Sequence, residues 1–212
     1  MSIRTAVDER RFADALYGLD ALEQKDVQAF RSGDFDYLAA RLNERTGNSA
    51  TAAARYLAVT KRGSILRPYA LFHLAAIART SGNLVLERVY LDEVAASYPS
   101  ALVADAARNR RARSWLESGN YEMAAKAFES ILPNAGKTAG KGEDAVTREN
   151  RLYLARSYML SGKAAEARAI FTAIIGSASN PAQPDDASLA AAIALDKLDR
   201  TPGSPETAAP KL

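Results

Sequence analysis

Cysteine is absent from this sequence, which excludes disulfide bonds and thiolate metal sites. There is one histidine, His73, and a metal site of the usual composition needs further histidine or cysteine ligands. A Ser/His/Asp triad would have to use the same histidine, and no nucleophile-elbow glycine pattern accompanies it. We therefore predict no metal site, no bound cofactor and no catalytic residue, and hence a protein that is not an enzyme.

Long hydrophobic runs are also missing. The N-terminal stretch, residues 1–18, has no apolar run of signal-peptide length, and no stretch approaches the length of a transmembrane helix. The sequence predicts a cytoplasmic protein if it is complete as written. It predicts a periplasmic protein if it is a fragment of an envelope protein whose leader lies outside it.

Charge of one sign is only slightly in excess, with a net charge of +3. Nucleic-acid binding requires clustered lysine and arginine, so we predict no nucleic-acid partner. Aromatic residues make up only 8% of the chain, whereas alanine is abundant. This composition favours closely packed helices over a β-sandwich, and 48% hydrophobic residues are enough to form a core.

The most informative stretch is residues 108–132, RNRRARSWLESGNYEMAAKAFESIL. Small and large apolar residues alternate there around a Gly119-Asn120 turn, at offsets 0, 3, 7, 9, 12 and 16: Ala112, Trp115, Gly119, Tyr121, Ala124 and Phe128. Two amphipathic helices joined at this turn would bury the large residues on their shared face. We interpret Trp115, Tyr121 and Phe128 as hairpin core, in preference to an aromatic recognition site.

The same pattern recurs along the chain. Turn glycines are separated by 35, 37 and 43 residues: Gly47, Gly82, Gly119 and Gly162. Seven residues before each glycine there is an alanine: Ala40, Ala75, Ala112 and Ala155. Nine residues after each glycine there is a large apolar residue: Tyr56, Leu91, Phe128 and Phe171. A period near 34 residues with this pattern resembles tetratricopeptide-type helical repeats.

The resemblance implies an all-α fold, a right-handed superhelix of antiparallel hairpins with about ten or eleven helices. We expect N-terminal helices in residues 1–33 to pack on a repeat array formed by residues 34–198. The polar stretch 133–147 is predicted to be a flexible insert, and residues 199–212 a disordered tail.

Several local expectations can be checked directly. The first helices are predicted at 6–18 and 20–31, with Tyr17 on the buried side of the first. Asp34 and Ser100 are predicted to cap the helices that follow them. Pro68 should lie in the first turn of its helix, where a missing N–H is harmless.

Two groups of polar residues are weak candidates for chemistry. Residues 136–141 hold two Gly-Lys pairs, but the GxxxxGK[ST] spacing is not met and a helix precedes them, so we predict a loop. Carboxylates occur at 87, 92 and 93, and at 143 and 144. We expect the first group on an exposed helix face and the second in the mobile insert, in neither case as a catalytic pair.

Arginines are the strongest candidates for binding. In the repeat class that this chain resembles, the first helix of each hairpin lines a groove. Arg113 and Arg156 each follow the alanine of their repeat, so they should project side by side, and Arg79 lies four residues after Ala75. Such a groove would suit a carboxylate or an acidic peptide, because arginine donates in a bidentate fork. Alternatively, the cluster at 108–113 pairs with neighbours such as Asp105 and Glu117.

Residues 71–78, 81–83 and 97–100, and the segment 183–199, look like the superhelical region of soluble lytic murein transglycosylases and the repeat lipoproteins of the bacterial envelope. The Glu-Ser pairs at 117–118 and 129–130 lack the Gly-Leu-Met-Gln run of the lytic domain, so no catalytic residue is carried over. The resemblance implies a non-catalytic envelope scaffold for a protein, a peptide or peptidoglycan. The alternative is a cytosolic adaptor that binds an extended acidic or C-terminal peptide. The oligomeric state is left open.

Overall fold

The computed structural model describes residues 2–133, 143–178 and 184–200, and within these ranges it is helical, with no strand. The all-α prediction is therefore confirmed. The helices are α1 (Ile3–Asp8), α2 (Phe12–Lys25), α3 (Val27–Ser32), α4 (Phe35–Arg45), α5 (Ser49–Thr60), α6 (Arg67–Thr80), α7 (Leu84–Ser97), α8 (Ala104–Glu117), α9 (Tyr121–Ile131), α10 (Ala145–Leu160), α11 (Ala164–Gly176) and α12 (Asp186–Asp199). They form two compact units, residues 1–107 and 108–212, divided within α8.

Helices pair into hairpins inside each unit. In the first unit α4 packs on α5 and α6 on α7, and α5 also packs on α6. In the second unit α10 packs on α9, α11 and α12. The hairpins therefore stack through nearest neighbours, which is the principle of a helical-repeat array.

The turn inside each hairpin has the same geometry. All four glycines have φ between +76° and +82°, a left-handed conformation that suits glycine because it lacks a Cβ atom. The residue after each glycine donates its N–H to the carbonyl five residues earlier, at 2.8–3.0 Å: Asn48 to Asn43, Asn83 to Ala78, Asn120 to Trp115, and Lys163 to Tyr158. This is the Schellman motif, which ends one helix and positions the next.

The predicted alanine and large-residue pairs form the centre of the hairpins. All eight residues are at most 1% exposed. A small alanine lets two helices approach closely, and each large side chain contributes about 1.5–3 kcal/mol by leaving water. The sequence-derived repeat is thus confirmed in all four hairpins.

The N-terminal helix boundaries were predicted wrongly. The chain turns at Arg10, which has a φ of 58°, and again at Asp26, whose side chain accepts a hydrogen bond from the Ala29 N–H at 2.9 Å. Three helices result instead of two. Gly18 does not end a helix but lies inside α2, where a Cβ atom would come within 2.9 Å of Ile3.

The predictions of two helix caps and of one buried residue were also wrong. Asp34 has a left-handed φ of 54° and makes no capping hydrogen bond; its carboxylate accepts from Arg62 at 2.6 Å and Ser64 at 2.8 Å. Ser100 lies four residues before α8 begins. Tyr17 is exposed. Pro68, by contrast, lies in the first turn of α6 as predicted.

Most of the predicted insert and tail lies outside the described residues, which omit 134–142, 179–183 and 201–212. Residues 145–147 of the insert belong to α10. Asp144 caps this helix, accepting from the Thr147 N–H at 3.0 Å and the Thr147 hydroxyl at 2.7 Å. These two hydrogen bonds lower the pKa of Asp144.

Candidate functional site

The candidate site in the second unit is formed by α8, α10 and α12, with Arg113 on α8 and with Tyr153 and Arg156 on α10. Arg113 of α8 is half-buried, and its guanidinium lies 4.8 Å from the centre of the Tyr153 ring. The same guanidinium donates to Glu149 at 2.5 Å. Arg113 is therefore engaged with one ring and one carboxylate of α10.

Tyr153 is the centre of this arrangement. Its hydroxyl donates to Glu149 at 3.0 Å, and its ring stacks on Phe128 at 5.8 Å. Burial raises the pKa of the Tyr153 hydroxyl, the hydrogen bond to Glu149 raises it further, and the charges of Arg113 and Arg156 act in the opposite direction. The charges of both arginines therefore act on the same hydroxyl. That Arg113 and Arg156 line one groove side by side stays a prediction.

Arg156 differs from Arg113 in its surroundings. It is exposed, and among the described residues its side chain has no hydrogen-bond or ion-pair partner. It borders a cleft of about 470 Å³ between α10 and α12. The cleft wall is largely apolar, with Val146, Leu152, Ala187 and Ala190, and Asp186 contributes an exposed carboxylate at the start of α12.

The buried arginine Arg148 holds this cleft in shape. Arg148 donates to Asp185 at 2.9 Å and to the hydroxyls of Ser177 and Ser188 at 2.6 and 2.9 Å, so it ties α10 to the regions around α11 and α12. The hydrogen bond from Arg148, followed by those from Ser188, lowers the pKa of Asp185 to about 2. The wall of the cleft is therefore built from well-anchored helices.

The ion pair between Arg151 and Glu143 contradicts an expectation about the insert. Arg151, 1% exposed, donates to both carboxylate oxygens of Glu143 at 2.5–3.0 Å. Glu143 was predicted to be solvated in a mobile loop, and that prediction is wrong. The sequence around Glu143 does not indicate this ion pair, because Arg151 lies eight residues further on, in α10.

The first unit contains a related cluster around Arg41. This arginine donates to Glu44 at 3.1 Å and approaches both ring nitrogens of His73 at 3.1 Å. The His73 ring stacks on Tyr56 at 5.0 Å, and the Tyr56 hydroxyl donates to Glu44 at 2.7 Å. Burial, followed by the charge of Arg41, lowers the pKa of His73.

The contacts of Arg41 were not predicted from the sequence, although its position in the repeat indicates them. It follows Ala40 by one residue, as Arg113 follows Ala112 and Arg156 follows Ala155. The rings have an equivalent spacing, since His73 and Tyr153 each lie two residues before the alanine of the next hairpin in space. Comparing positions around the alanines would have found both contacts.

Arg79, the remaining predicted groove residue, belongs to the first unit. It is exposed near the end of α6 and has no hydrogen-bond or ion-pair partner within that part of the chain that the structure describes. Of the predicted groove arginines, Arg113 is engaged by Tyr153 and Glu149, whereas Arg79 and Arg156 have no hydrogen-bond or ion-pair partner among the described residues.

The other candidates have structural roles or lie beyond the described ranges. Arg110 of the arginine cluster pairs with Glu117 at 2.5 Å, as the alternative interpretation had it. Glu87 was expected on an exposed face but is 1% exposed, at the hairpin position where the other repeats have alanine. Phe128 is buried as predicted, whereas Trp115 and Tyr121 are half-buried. The two Gly-Lys pairs at 136–141 fall outside the described residues.

The described residues lack two further kinds of feature. They contain no group of three or more His, Asp or Glu side chains placed to hold a metal ion. None of their helices combines the length and hydropathy needed to span a bilayer.

Comparison with known proteins identifies the hairpin that carries the cleft. Residues 149–180 match the family model of the tetratricopeptide repeat. The match begins at Glu149, includes Tyr153 and Arg156, and extends through α11. With the all-helical hairpins, it supports a tetratricopeptide-type helical-repeat protein.

No curated protein matches the chain. The resemblance to lytic transglycosylases therefore gains no support from these comparisons. Tetratricopeptide repeats generally mediate protein interactions, which favours a binding or scaffold role.

Proposed function

We propose that this chain is a non-catalytic binding module that holds an acidic segment of a partner protein against the first helices of its hairpins. The observation that carries the proposal is an exposed arginine on a first helix in each unit, Arg79 in the first unit and Arg156 in the second, neither with a side-chain partner among the described residues. An arginine that is not committed to an internal carboxylate can donate to one on a ligand.

Arg113 has a supporting role in this proposal. Its guanidinium is held by Glu149 and Tyr153, so it ties α8 to α10, the helix that carries Arg156. His73 and Arg151 likewise have their polar contacts within the fold, with Arg41 and Glu44 and with Glu143, which favours a structural role for them over a chemical one.

The test is the binding of short fluorescent peptides of equal length, measured by anisotropy. Acidic, neutral and basic versions of one peptide are compared on the wild type, Arg79→Ala, Arg156→Ala and the control Lys126→Ala, which removes an exposed charge from α9. We expect preferential binding of the acidic peptide and about two- to fivefold weaker binding for each arginine variant, as for an exposed ion pair. Equal binding of acidic and neutral peptides would refute the proposal.

The predicted envelope scaffold and the cytosolic adaptor differ in their ligands. Peptidoglycan fragments added as competitors distinguish them, because displacement of the peptide would favour the envelope role. Fractionation of the native host with an antibody against this chain gives an independent result. A cytoplasmic signal together with no competition by the glycan would favour the adaptor.

A further inference from the structure

Two arginines in this chain have the same two kinds of partner, a ring in contact with the guanidinium and a carboxylate that accepts a hydrogen bond from it. Arg113 has the Tyr153 ring and Glu149. Arg41 has the His73 ring and Glu44. In both cases the ring comes from the first helix of the next hairpin, so the arrangement recurs with the repeat.

Arg156 stands at the equivalent position of the fourth hairpin but lacks both partners. The next helix against it, α12, contains no aromatic residue and no histidine. No carboxylate among the described residues pairs with Arg156. The fourth hairpin therefore has the arginine, but neither a ring from the next helix nor a paired carboxylate.

The cleft beside Arg156 has the surface that a ring would cover. Leu152 of α10 and Ala187 and Ala190 of α12 line it, and its volume is about 470 Å³. Ile193 lies one turn after Ala190 on the same side of α12 and is 63% exposed. A flat apolar group placed here would bury these side chains and lie over the guanidinium.

The charged residues that line the cleft would orient a ligand. The lining carboxylates Glu149 and Asp185 are paired with Arg113 and Arg148. Arg156 and Asp186 are the exposed lining charges that have no ion-pair partner among the described residues. An acidic side chain is attracted to Arg156 and repelled by Asp186. A ligand that carries one acid and one ring is therefore oriented with the acid at the Arg156 side.

We propose that the cleft between α10 and α12 binds a peptide that supplies one aromatic ring and one carboxylate to Arg156. The ring stacks on the face of the guanidinium and covers Leu152, Ala187 and Ala190, while the N–H edge donates to the carboxylate. The proposal rests on the proposed function and specifies its ligand: an acidic peptide that also contains an aromatic residue.

The experiment compares four fluorescent peptides of equal length in a two-by-two design. One peptide has a glutamate and a tyrosine, one has the tyrosine changed to alanine, one has the glutamate changed to glutamine, and one has both changes. Each is titrated with the wild type, Arg156→Lys, Arg156→Ala and the control Lys126→Ala. Arg156 is exposed, so we expect all variants to fold, and circular dichroism verifies this.

For the wild type, removal of the ring should weaken binding roughly three- to thirtyfold, the range for a cation–π contact that is partly removed from water. Arg156→Lys should keep the preference for glutamate and lose most of the preference for tyrosine, because an ammonium group lacks the flat face of a guanidinium. Arg156→Ala should lose the preference for glutamate and most of the preference for tyrosine, because only the contact of the ring with Leu152, Ala187 and Ala190 remains. Lys126→Ala should bind as the wild type does.

The outcomes separate this proposal from the one on which it rests. Acidic peptides that bind equally well with and without the ring would overturn the stacking proposal and leave the proposed function standing. No binding of any acidic peptide would overturn both. Sedimentation adds a last outcome: wild-type self-association that Arg156→Ala abolishes would show that a second copy occupies the cleft, and would overturn the peptide proposal.

Discussion

Phe128 shows what a single buried side chain contributes in this fold. It is fully buried in the third hairpin and stacks on Tyr153 of α10. Phe128→Ala should lower the free energy of unfolding by about 3–5 kcal/mol, because it removes apolar burial and leaves a cavity.

Urea unfolding followed by circular dichroism measures this loss. Ile193→Ala is the control in the same unit, because Ile193 is largely exposed and its truncation should change stability by no more than about 0.5 kcal/mol. A Phe128→Ala variant as stable as this control would contradict the assigned core.

His73 should make the stability of the chain depend on pH. Burial and the charge of Arg41 lower its pKa in the folded state, although Glu44 acts in the opposite direction. As the pH falls, the unfolded chain, whose histidine has a pKa of about 6.5, takes up a proton before the folded chain does. The stabilisation linked to His73 is therefore present above about pH 6.5 and is lost below it.

The measurement is the free energy of unfolding at neutral and at mildly acidic pH, for the wild type and for His73→Gln. The wild type should lose more stability on acidification than the variant, because only the wild type has an imidazole to protonate. Position 73 has the same neighbours in both proteins: Arg41, Glu44, Tyr37 and Tyr56. Their own contribution to the pH dependence of stability therefore cancels. Equal losses would show that His73 is not the titrating group.

At the level of residues, the sequence predicted positions better than partners. The spacing around Ala112 and Ala155 predicted that Arg113 and Arg156 are neighbours, and the charges of both lower the pKa of the Tyr153 hydroxyl. Glu149 was not anticipated as the partner of Arg113, because it belongs to the following hairpin. Periodicity identifies the face of a helix, whereas contacts across hairpins depend on the register between helices.

The glycine turns allow a test at the level of a hairpin. Gly82 has a φ of +78°, and a Cβ atom there would meet nothing within 4 Å. Gly82→Ala therefore has no steric clash with a neighbour, and the cost is that of the left-handed backbone alone, about 1–2 kcal/mol.

Gly63→Ala is the matched control for this prediction. Gly63 also has open space around it but no left-handed φ, so alanine should be neutral or stabilise by up to about 1 kcal/mol. Thermal unfolding of the two variants beside the wild type checks the difference. Comparable melting temperatures for both variants would mean that the left-handed turn is not required.

The helix ends also show where sequence signals suffice. α6 was predicted at both ends, because Pro68 marks its first turn and Gly82 follows its last. The ends of the three N-terminal helices were not predicted. Gly18 lies inside α2, where it allows close packing against Ile3, and the chain turns at Arg10, a non-glycine residue with a left-handed φ. A glycine or an arginine in the sequence does not reveal which of these roles it has.

For the whole molecule, stacking by nearest neighbours predicts uneven local stability. α1 has six residues and packs chiefly on α2, whereas α10 packs on α9, α11 and α12. Local opening is easier where fewer buried contacts must be broken. Amides of α1 should therefore exchange with deuterium faster than those of α10, as mass spectrometry of the intact chain can show, and similar rates would argue against this hierarchy.

The division of the chain at residue 107 could not be predicted from the repeat pattern. The pattern continues without interruption from Ala75 to Ala112, and the division falls inside α8. Repeat periodicity describes how each hairpin resembles the next. It carries no information on how densely particular hairpins contact one another.

The identical corners determine where this protein could accept foreign sequence. Every corner within a hairpin has three residues: 46–48, 81–83, 118–120 and 161–163. Extra length there would displace a Schellman hydrogen bond and misalign two helices. The connector 98–103 is different, because it joins separate hairpins and exposes Pro99, Ser100 and Leu102. A reporter domain or an epitope tag should therefore be grafted between hairpins, at Ser100, and never at a glycine corner.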